Sequence, residues 1–109
     1  MRRGDIVAVA DPASDYSRKP RPAVVVQSDV FNPTHPSVTV CLITGTLTGF
    51  GTFRIPVPSD DVTGLEKASE VQIDKVQAIR LHRVGRQIGR MPDEIMAEID
   101  QLLKRWLDL

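Results

Sequence analysis

A small, mainly β domain closed by one C-terminal helix is the fold this sequence predicts, and three observations predict it. Short segments rich in Val, Ile and Thr recur along the chain, each bounded by Pro, Gly, Asn or Asp. No helical pattern separates them, so the strands join without crossovers and their sheet is antiparallel. Helical spacing of apolar residues begins only after Pro92. At 109 residues the chain fits a single domain spanning 1–109. About six strands wound into a small, twisted antiparallel sheet or barrel, sealed by the helix, satisfy all three observations.

Residues 4–10 (GDIVAVA) read as the first strand, which Asp11-Pro12 ends. Residues 11–20 (DPASDYSRKP) form a polar, proline-bounded loop that presents Tyr16 and the charges of Asp11, Asp15, Arg18 and Lys19. Residues 22–27 (PAVVVQ) are a continuous apolar run, the pattern of a strand buried on both faces. Ser28-Asp29 caps the turn that follows, and Asn32-Pro33 and His35-Pro36 punctuate it. Residues 37–44 (SVTVCLIT) form a third, β-branched strand, and the glycines and threonines of 45–51 a mobile loop. Residues 53–58 (FRIPVP) alternate but hold two prolines, which confines them to a sheet edge. A turn at 64–69 leads into a strand at 70–73, and 76–84 supply another that buries Val76, Ile79 and Leu81. Pro92 suits the first helical position, and Asp93 and Glu94 suit the positive end of the helix dipole. Ile95, Met96, Ile99, Leu102, Leu103 and Trp106 then form an apolar stripe for core packing.

Composition excludes several function classes. One cysteine, Cys41, rules out an internal disulfide framework and a Cys-based zinc site. The two histidines, His35 and His82, have no metal-ligand spacing, so neither a metal nor another cofactor is expected. Aromatic residues at 5% are too few for a base-stacking platform. No apolar stretch approaches the roughly 20 residues of a membrane span, so the chain reads as soluble and cytoplasmic, with no membrane partner. Fourteen Lys and Arg balance fourteen Asp and Glu, which removes the global signature of a nucleic-acid binder. The balance is uneven along the chain: residues 1–57 carry +2, 58–74 carry −4, 75–90 carry +5 and 91–109 carry −3.

Few residues remain for chemistry. Cys41 lies inside an apolar strand and reads as an inert core thiol rather than a nucleophile. Ser28 has no histidine placed to activate it. Arg21 stands at the mouth of the buried 22–27 strand and Thr44 at the end of the third. Arg21 suits a phosphate, beside Arg18 and Lys19, or an ion pair with Asp15 or Asp29, and the residues alone leave these readings level.

At these positions the chain resembles the MazF/PemK family of toxin endoribonucleases, the mRNA interferases of type II toxin–antitoxin pairs. Arg3-Gly4-Asp5-Ile6-Val7 looks like the family's R-G-D-[IV] start, and the segment from Arg21-Pro22-Ala23 to Ser28-Asp29, with Asn32 beyond it, looks like its R-P-[AV] stretch. Val40-Cys41-Leu42-Ile43-Thr44 is similar to the strand that ends in the family's threonine. Gly64-Leu65 through Ser69, and Asp74-Lys75-Val76, resemble the segment that follows. The resemblance covers nearly the whole chain in order. It implies an SH3-like, CcdB/PemK-type barrel, a homodimer, a MazE-like antitoxin with a disordered acidic tail, and metal-independent, sequence-selective cleavage of single-stranded RNA. In that chemistry the RNA 2′-OH attacks its own 3′ phosphodiester and leaves a 2′,3′-cyclic phosphate and a 5′-OH.

The resemblance assigns Arg21 and Thr44 as catalytic. Arg21 suits transition-state charge, but a guanidinium with a pKa above about 12 is no general base. Asp15, His35 or a water are the candidates for that base. Asp15, Arg18, Lys19, Arg54, Arg80 and Arg83 are the candidate RNA contacts, and the Arg18/Lys19/Arg21 cluster and the basic 75–90 segment are natural receivers of an acidic tail. Residues 13–19 (ASDYSRK) depart from the family's G-S-E-x-x-G loop, lacking its glycines and glutamate. Two alternatives stand beside the nuclease: a CcdB-like, non-enzymatic toxin that poisons DNA gyrase, and a catalytically silent RNA-binding barrel.

Overall fold

The computed structural model describes residues 1–10, 20–47, 51 and 53–109. Within these lie strands β1 (Asp5–Val9), β2 (Arg21–Val25), β3 (Ser37–Thr44), β4 (Arg54–Val57) and β5 (Ser69–Arg80). A one-turn 3-10 helix at Leu81–Arg83, strand β6 (Val84–Arg90) and helix α1 (Asp93–Leu107) follow. The strands form one sheet in the order β4-β5-β3-β2-β1-β6, and every neighbouring pair is antiparallel. The mainly β class, the closing helix and the edge position of proline-bearing β4 agree with the sequence.

Two elements differ from expectation. The strands expected at 70–73 and 76–84 are one long strand, β5, with a break in its register against β3. Cys41 pairs with Val76 but Leu42 pairs with Gln72, so Ile73, Asp74 and Lys75 bulge out of the ladder. Leu81, expected to be buried, lies in the 3-10 turn and is 41% exposed. The sixth strand is instead β6, whose VGRQIGR sequence has no apolar alternation. Pairing with β1 imposes its strand form: Asp5 opposes Arg90, Ile6 opposes Gly89 and Val9 opposes Val84, with two register shifts between.

Both faces of the central strands are buried. Ile6, Val24, Cys41 and Ile43 pack on one face with Val71, Ile73, Met91, Met96 and Ile99, beneath α1. Val7, Val9, Ala23, Val25, Val38, Val40 and Leu42 pack on the other with Ile79. Bulges and register shifts of the kind seen in β5 and β6 add to the twist of such a sheet. Burial of each Val or Ile side chain contributes roughly 1.5–3 kcal/mol. The apolar stripe of α1 meets the first cluster through buried Met96 and Ile99, with Ile95, Leu102 and Leu103 at its margin. Trp106 sits at the stripe's end, its ring edge-to-face with Phe53 at 5.2 Å.

The opening Arg3-Gly4-Asp5 is a structural clasp. Arg3 donates from Nε to the Val26 carbonyl at 3.0 Å and pairs through Nη2 with Asp100 of α1. The buried Asp5 carboxylate accepts from the Arg2 backbone N–H at 2.8 Å and from Arg90 Nη1 at 2.9 Å. Gly4 has φ +94°, and a Cβ there would stand 3.3 Å from the Arg90 guanidinium. These contacts tie β1 to the end of β2, to β6 and to α1.

A second polar knot closes the β2–β3 turn. Asn32 is buried and donates to Asp29 Oδ1 at 2.8 Å and to the Gln27 carbonyl at 3.2 Å. Gln27 Nε2 donates to Asn32 Oδ1 at 3.0 Å, and Gln27 Oε1 accepts the Thr39 N–H at 3.1 Å. Ser28 Oγ accepts the Val30 N–H, the capping role expected of it. The Arg3 backbone N–H, at 2.7 Å, and Asn32 hold the Asp29 carboxyl below its ordinary pKa of 3.8.

Ile99 is fully buried, and Ile99→Ala is expected to destabilise the protein by roughly 2–5 kcal/mol. Glu98→Ala, on the exposed face of the same helix turn, should stay within about 0.5 kcal/mol; urea denaturation midpoints at constant m-value check both. Asp29 supplies a pH test. Because its folded pKa is lowered, its contribution is complete above the unfolded value near 3.8 and is lost as pH falls through the folded value. The stability difference between wild type and Asp29→Asn should therefore be widest above that pH and shrink below it, as measured by denaturation at stepped pH.

Candidate functional site

The β2–β3 register brings Arg21 and Thr44 together. The ladder between these strands runs from Val25–Val40 to Ala23–Leu42, and Arg21 and Thr44 stand at the strand ends just beyond it. Arg21 also opposes Val9 across β1, and Thr44 opposes Glu70 across β5. Arg21 and Thr44 line one cleft of about 500 Å³, where the start of β2, the end of β3, the middle of β6 and the 64–69 segment converge. The Thr44 hydroxyl accepts the Thr46 backbone N–H at 3.1 Å. That bond uses an acceptor position and leaves the hydroxyl hydrogen to be donated to a ligand.

Two further cations line the cleft, Lys67 and Arg86. Sequence reading passed over Lys67 and counted Arg86 only within the basic 75–90 block. Both are placed by close backbone approaches that glycine permits. Gly64 has φ +67°, and a Cβ there would lie 2.1 Å from the Ile88 carbonyl oxygen, while a Cβ on Gly89 would lie 2.2 Å from that of Thr63. The Arg90 N–H donates to the Val62 carbonyl at 2.8 Å. The 62–64 segment thus lies directly on β6, which sets Lys67 and Arg86 on the same cleft. Thr63 is fully buried beneath it, donating to the Pro58 carbonyl at 2.8 Å, and Asp60 caps the turn by accepting the Val62 and Thr63 N–H groups.

The other sequence-predicted residues fall elsewhere. Asp15, Arg18 and Lys19 lie outside the described residues, as do positions 48–50 of the expected mobile loop. Arg54 does not line the cleft: its Nε stands 3.5 Å from Asp74 Oδ1, within ion-pair range but not aligned as a hydrogen bond. Arg80 opposes Ser37, at the opposite end of β3 from Thr44, and Arg83 sits in the 3-10 turn beyond it. Neither lines the cleft. His35 precedes Ser37, and at about 3.3 Å per strand residue Ser37 lies roughly 20 Å from Thr44. That distance removes His35 as a base for this cleft. Cys41 is fully buried, and desolvation pushes its thiol up to about 12, so it stays an unreactive core thiol. Among the described residues no group of three or more His, Cys, Asp or Glu side chains is arranged to hold a metal ion.

A second cavity of about 550 Å³ opens between α1 and the sheet, but its Arg3 and Asp100 are paired with each other. The Arg21–Thr44 cleft is the candidate site: an arginine and an oriented hydroxyl, with Lys67 and Arg86 also on its walls among the described residues. Such a set stabilises a phosphate that gains negative charge.

Comparison with known proteins identifies the family. The family model for the PemK-like, MazF-like toxin of type II toxin-antitoxin systems matches residues 2–107. The chain is 35% identical to the probable endoribonuclease MazF of Mycolicibacterium smegmatis, over all of this chain and 98% of that one. It is 34% identical to endoribonuclease MazF9 of Mycobacterium tuberculosis, again over all of this chain and 98% of the relative. Among solved structures, the Mycobacterium tuberculosis toxin MazF-mt6 superposes with a TM-score of 0.78 at 29% identity, covering 95% of this chain and 97% of that one. MazF from Deinococcus radiodurans shares the fold at a TM-score of 0.82 and 20% identity, over all of this chain and 97% of its own. On the family match and on relatives aligned along their whole length, the chain belongs to the PemK-like, MazF-like toxins of type II toxin–antitoxin systems.

Proposed function

We propose that this toxin is an endoribonuclease that cleaves single-stranded RNA in the Arg21–Thr44 cleft. The carrying observation is that those two side chains, at the ends of adjacent strands, line one cleft. Family membership and curated relatives that are themselves named endoribonucleases favour this reading over a gyrase poison or a silent RNA-binding barrel.

In the reaction, the ribose 2′-oxygen bonds to the adjacent phosphorus as its proton leaves. The bond from phosphorus to the 5′-oxygen breaks, and that oxygen takes up a proton. The products are a 2′,3′-cyclic phosphate and a 5′-OH. Arg21 balances the charge that grows on the non-bridging oxygens and suits protonation of the leaving 5′-oxygen. Thr44 donates its hydroxyl hydrogen to one of those oxygens. The base is a water or Asp15, because the Arg21 guanidinium enters the step already protonated and His35 stands away from the cleft.

The same reading extends to a homodimer, to a cytoplasmic location and to a MazE-like antitoxin. The antitoxin's acidic tail would meet the cations of the cleft. No helix among the described residues is long and apolar enough to cross a membrane.

The test is incubation of the purified protein with a long single-stranded RNA in EDTA, followed by mapping of new 5′-OH ends. Cleavage is expected at a short recurring sequence, and a 2′-deoxy substitution at the cut step should abolish it. Arg21→Ala is expected to lower the rate at least about 10²-fold, the cost of removing a transition-state donor. Wild-type rates in Arg21→Ala, or no cleavage at all, would overturn the proposal.

A further inference from the structure

Lys67 is held in an unusual way for a surface lysine. A Cβ on Gly45 would stand 2.2 Å from Lys67 Cε and 3.0 Å from its Nζ, so the end of the side chain lies across the Gly45 backbone, one residue beyond Thr44. Among the described residues the Lys67 ammonium has no ion-pair partner, and Glu66, which also lines the cleft, does not neutralise it. Arg86 carries a further positive charge on the cleft wall.

We propose that Lys67 binds a second RNA phosphate, next to the one held by Arg21 and Thr44, and that Gly45 is its positioning residue. The inference rests on the cleft being the nuclease site and adds to it a subsite for a neighbouring nucleotide. The division of labour follows from the side chains. Arg21 presents a rigid planar fork suited to the oxygens of the reacting phosphorus. Lys67 is a flexible point charge suited to a phosphate whose charge is unchanged between substrate and transition state. An interaction equal in both states contributes to binding and leaves the chemical step alone. Gly45 is required because any larger residue occupies the space of the lysine's last carbon. The neighbour that must yield there is a flexible side-chain end, so Gly45→Ala displaces Lys67 without breaking the strand.

The experiment measures binding of a single-stranded DNA of randomised sequence, about ten nucleotides long, against salt. This probe lacks a 2′-OH and cannot be cleaved by the proposed chemistry. Each phosphate contact contributes about 0.7 to the slope of log affinity against log salt. Lys67→Met should lower the slope by about that amount, Lys67→Arg should retain it, and Lys104→Met on α1 should leave it unchanged. Gly45→Ala should reproduce Lys67→Met and add nothing in the double variant. With RNA as substrate, Lys67→Met should raise KM several-fold and leave kcat within about two-fold. If Arg21→Ala lowers the slope and Lys67→Met does not, the second phosphate site is overturned and the cleft stands. If neither lowers it, nucleic acid does not bind in this cleft and both readings fall. A fall in kcat at unchanged KM in Lys67→Met would place the lysine at the reacting phosphate and overturn its assignment to the neighbouring one.

Discussion

The structure depends on one constraint: a single sheet has two apolar faces, and one helix covers only one of them. Ile6, Val24, Cys41 and Ile43 find their cover in α1 and the chain around it, but Val7, Ala23, Val25, Val40 and Leu42 face the other way. Left open, that face would expose a contiguous aliphatic patch, a liability in water. The ladder is not regular: it slips between Cys41 and Leu42 against β5 and twice along β1 against β6. The start of β2, the end of β3 and the middle of β6 meet at the cleft, where Ile43 and Leu65 of the helix-side core and Ile88 packed against it form part of the lining, so the cleft opens on the first core and not the second.

The same constraint explains which parts of the fold were legible. A strand buried on both faces reads as a continuous apolar run, which PAVVVQ shows directly, and SVTVCLIT shows the same over its buried Val40–Ile43 stretch. A strand with neither face buried along its length reads as nothing, and VGRQIGR is held by its pairing with β1 and by two glycines against which the 62–64 segment and β1 pack. A Cβ on Gly85 would lie 3.3 Å from the Ala8 carbonyl oxygen. The three-residue bulge in β5 broke its apolar pattern in two, which is why one strand looked like a pair. Local periodicity carries burial but not the long-range pairing that shapes an edge.

Legibility of the site followed a different rule. Physical reading of the sequence left Arg21 evenly divided between a phosphate and an ion pair, and resemblance assigned it with Thr44. Their nearness follows from the strands, since pairing Ala23 with Leu42 leaves both polar residues at the same end of the ladder. Lys67 could not be found in this way. Its position comes from Gly64 and Gly89 letting two backbones touch and from Gly45 letting a side chain lie flat, and all three are contacts between segments distant in sequence. A glycine set directly after the cleft-lining Thr44 is the one local signal that could have pointed to it.

Charge arithmetic changes meaning once partners are known. The block at 75–90 carries +5 in sequence, yet its members do not act together. Arg90 is committed to buried Asp5, where it holds β6 to the N-terminus, and Arg80 and Arg83 stand around the 3-10 turn away from the cleft. Arg86 alone from that block reaches the cleft, which draws its other cations from β2 and from the otherwise acidic 58–74 stretch. A protein of zero net charge can therefore build a phosphate site from single residues of separate blocks, because screening over about 8–10 Å makes the local set of charges, not the total, what a phosphate meets. Net neutrality is therefore no argument against the proposed site, because a phosphate in the cleft would meet Arg21, Lys67 and Arg86 before the protein's more distant charges.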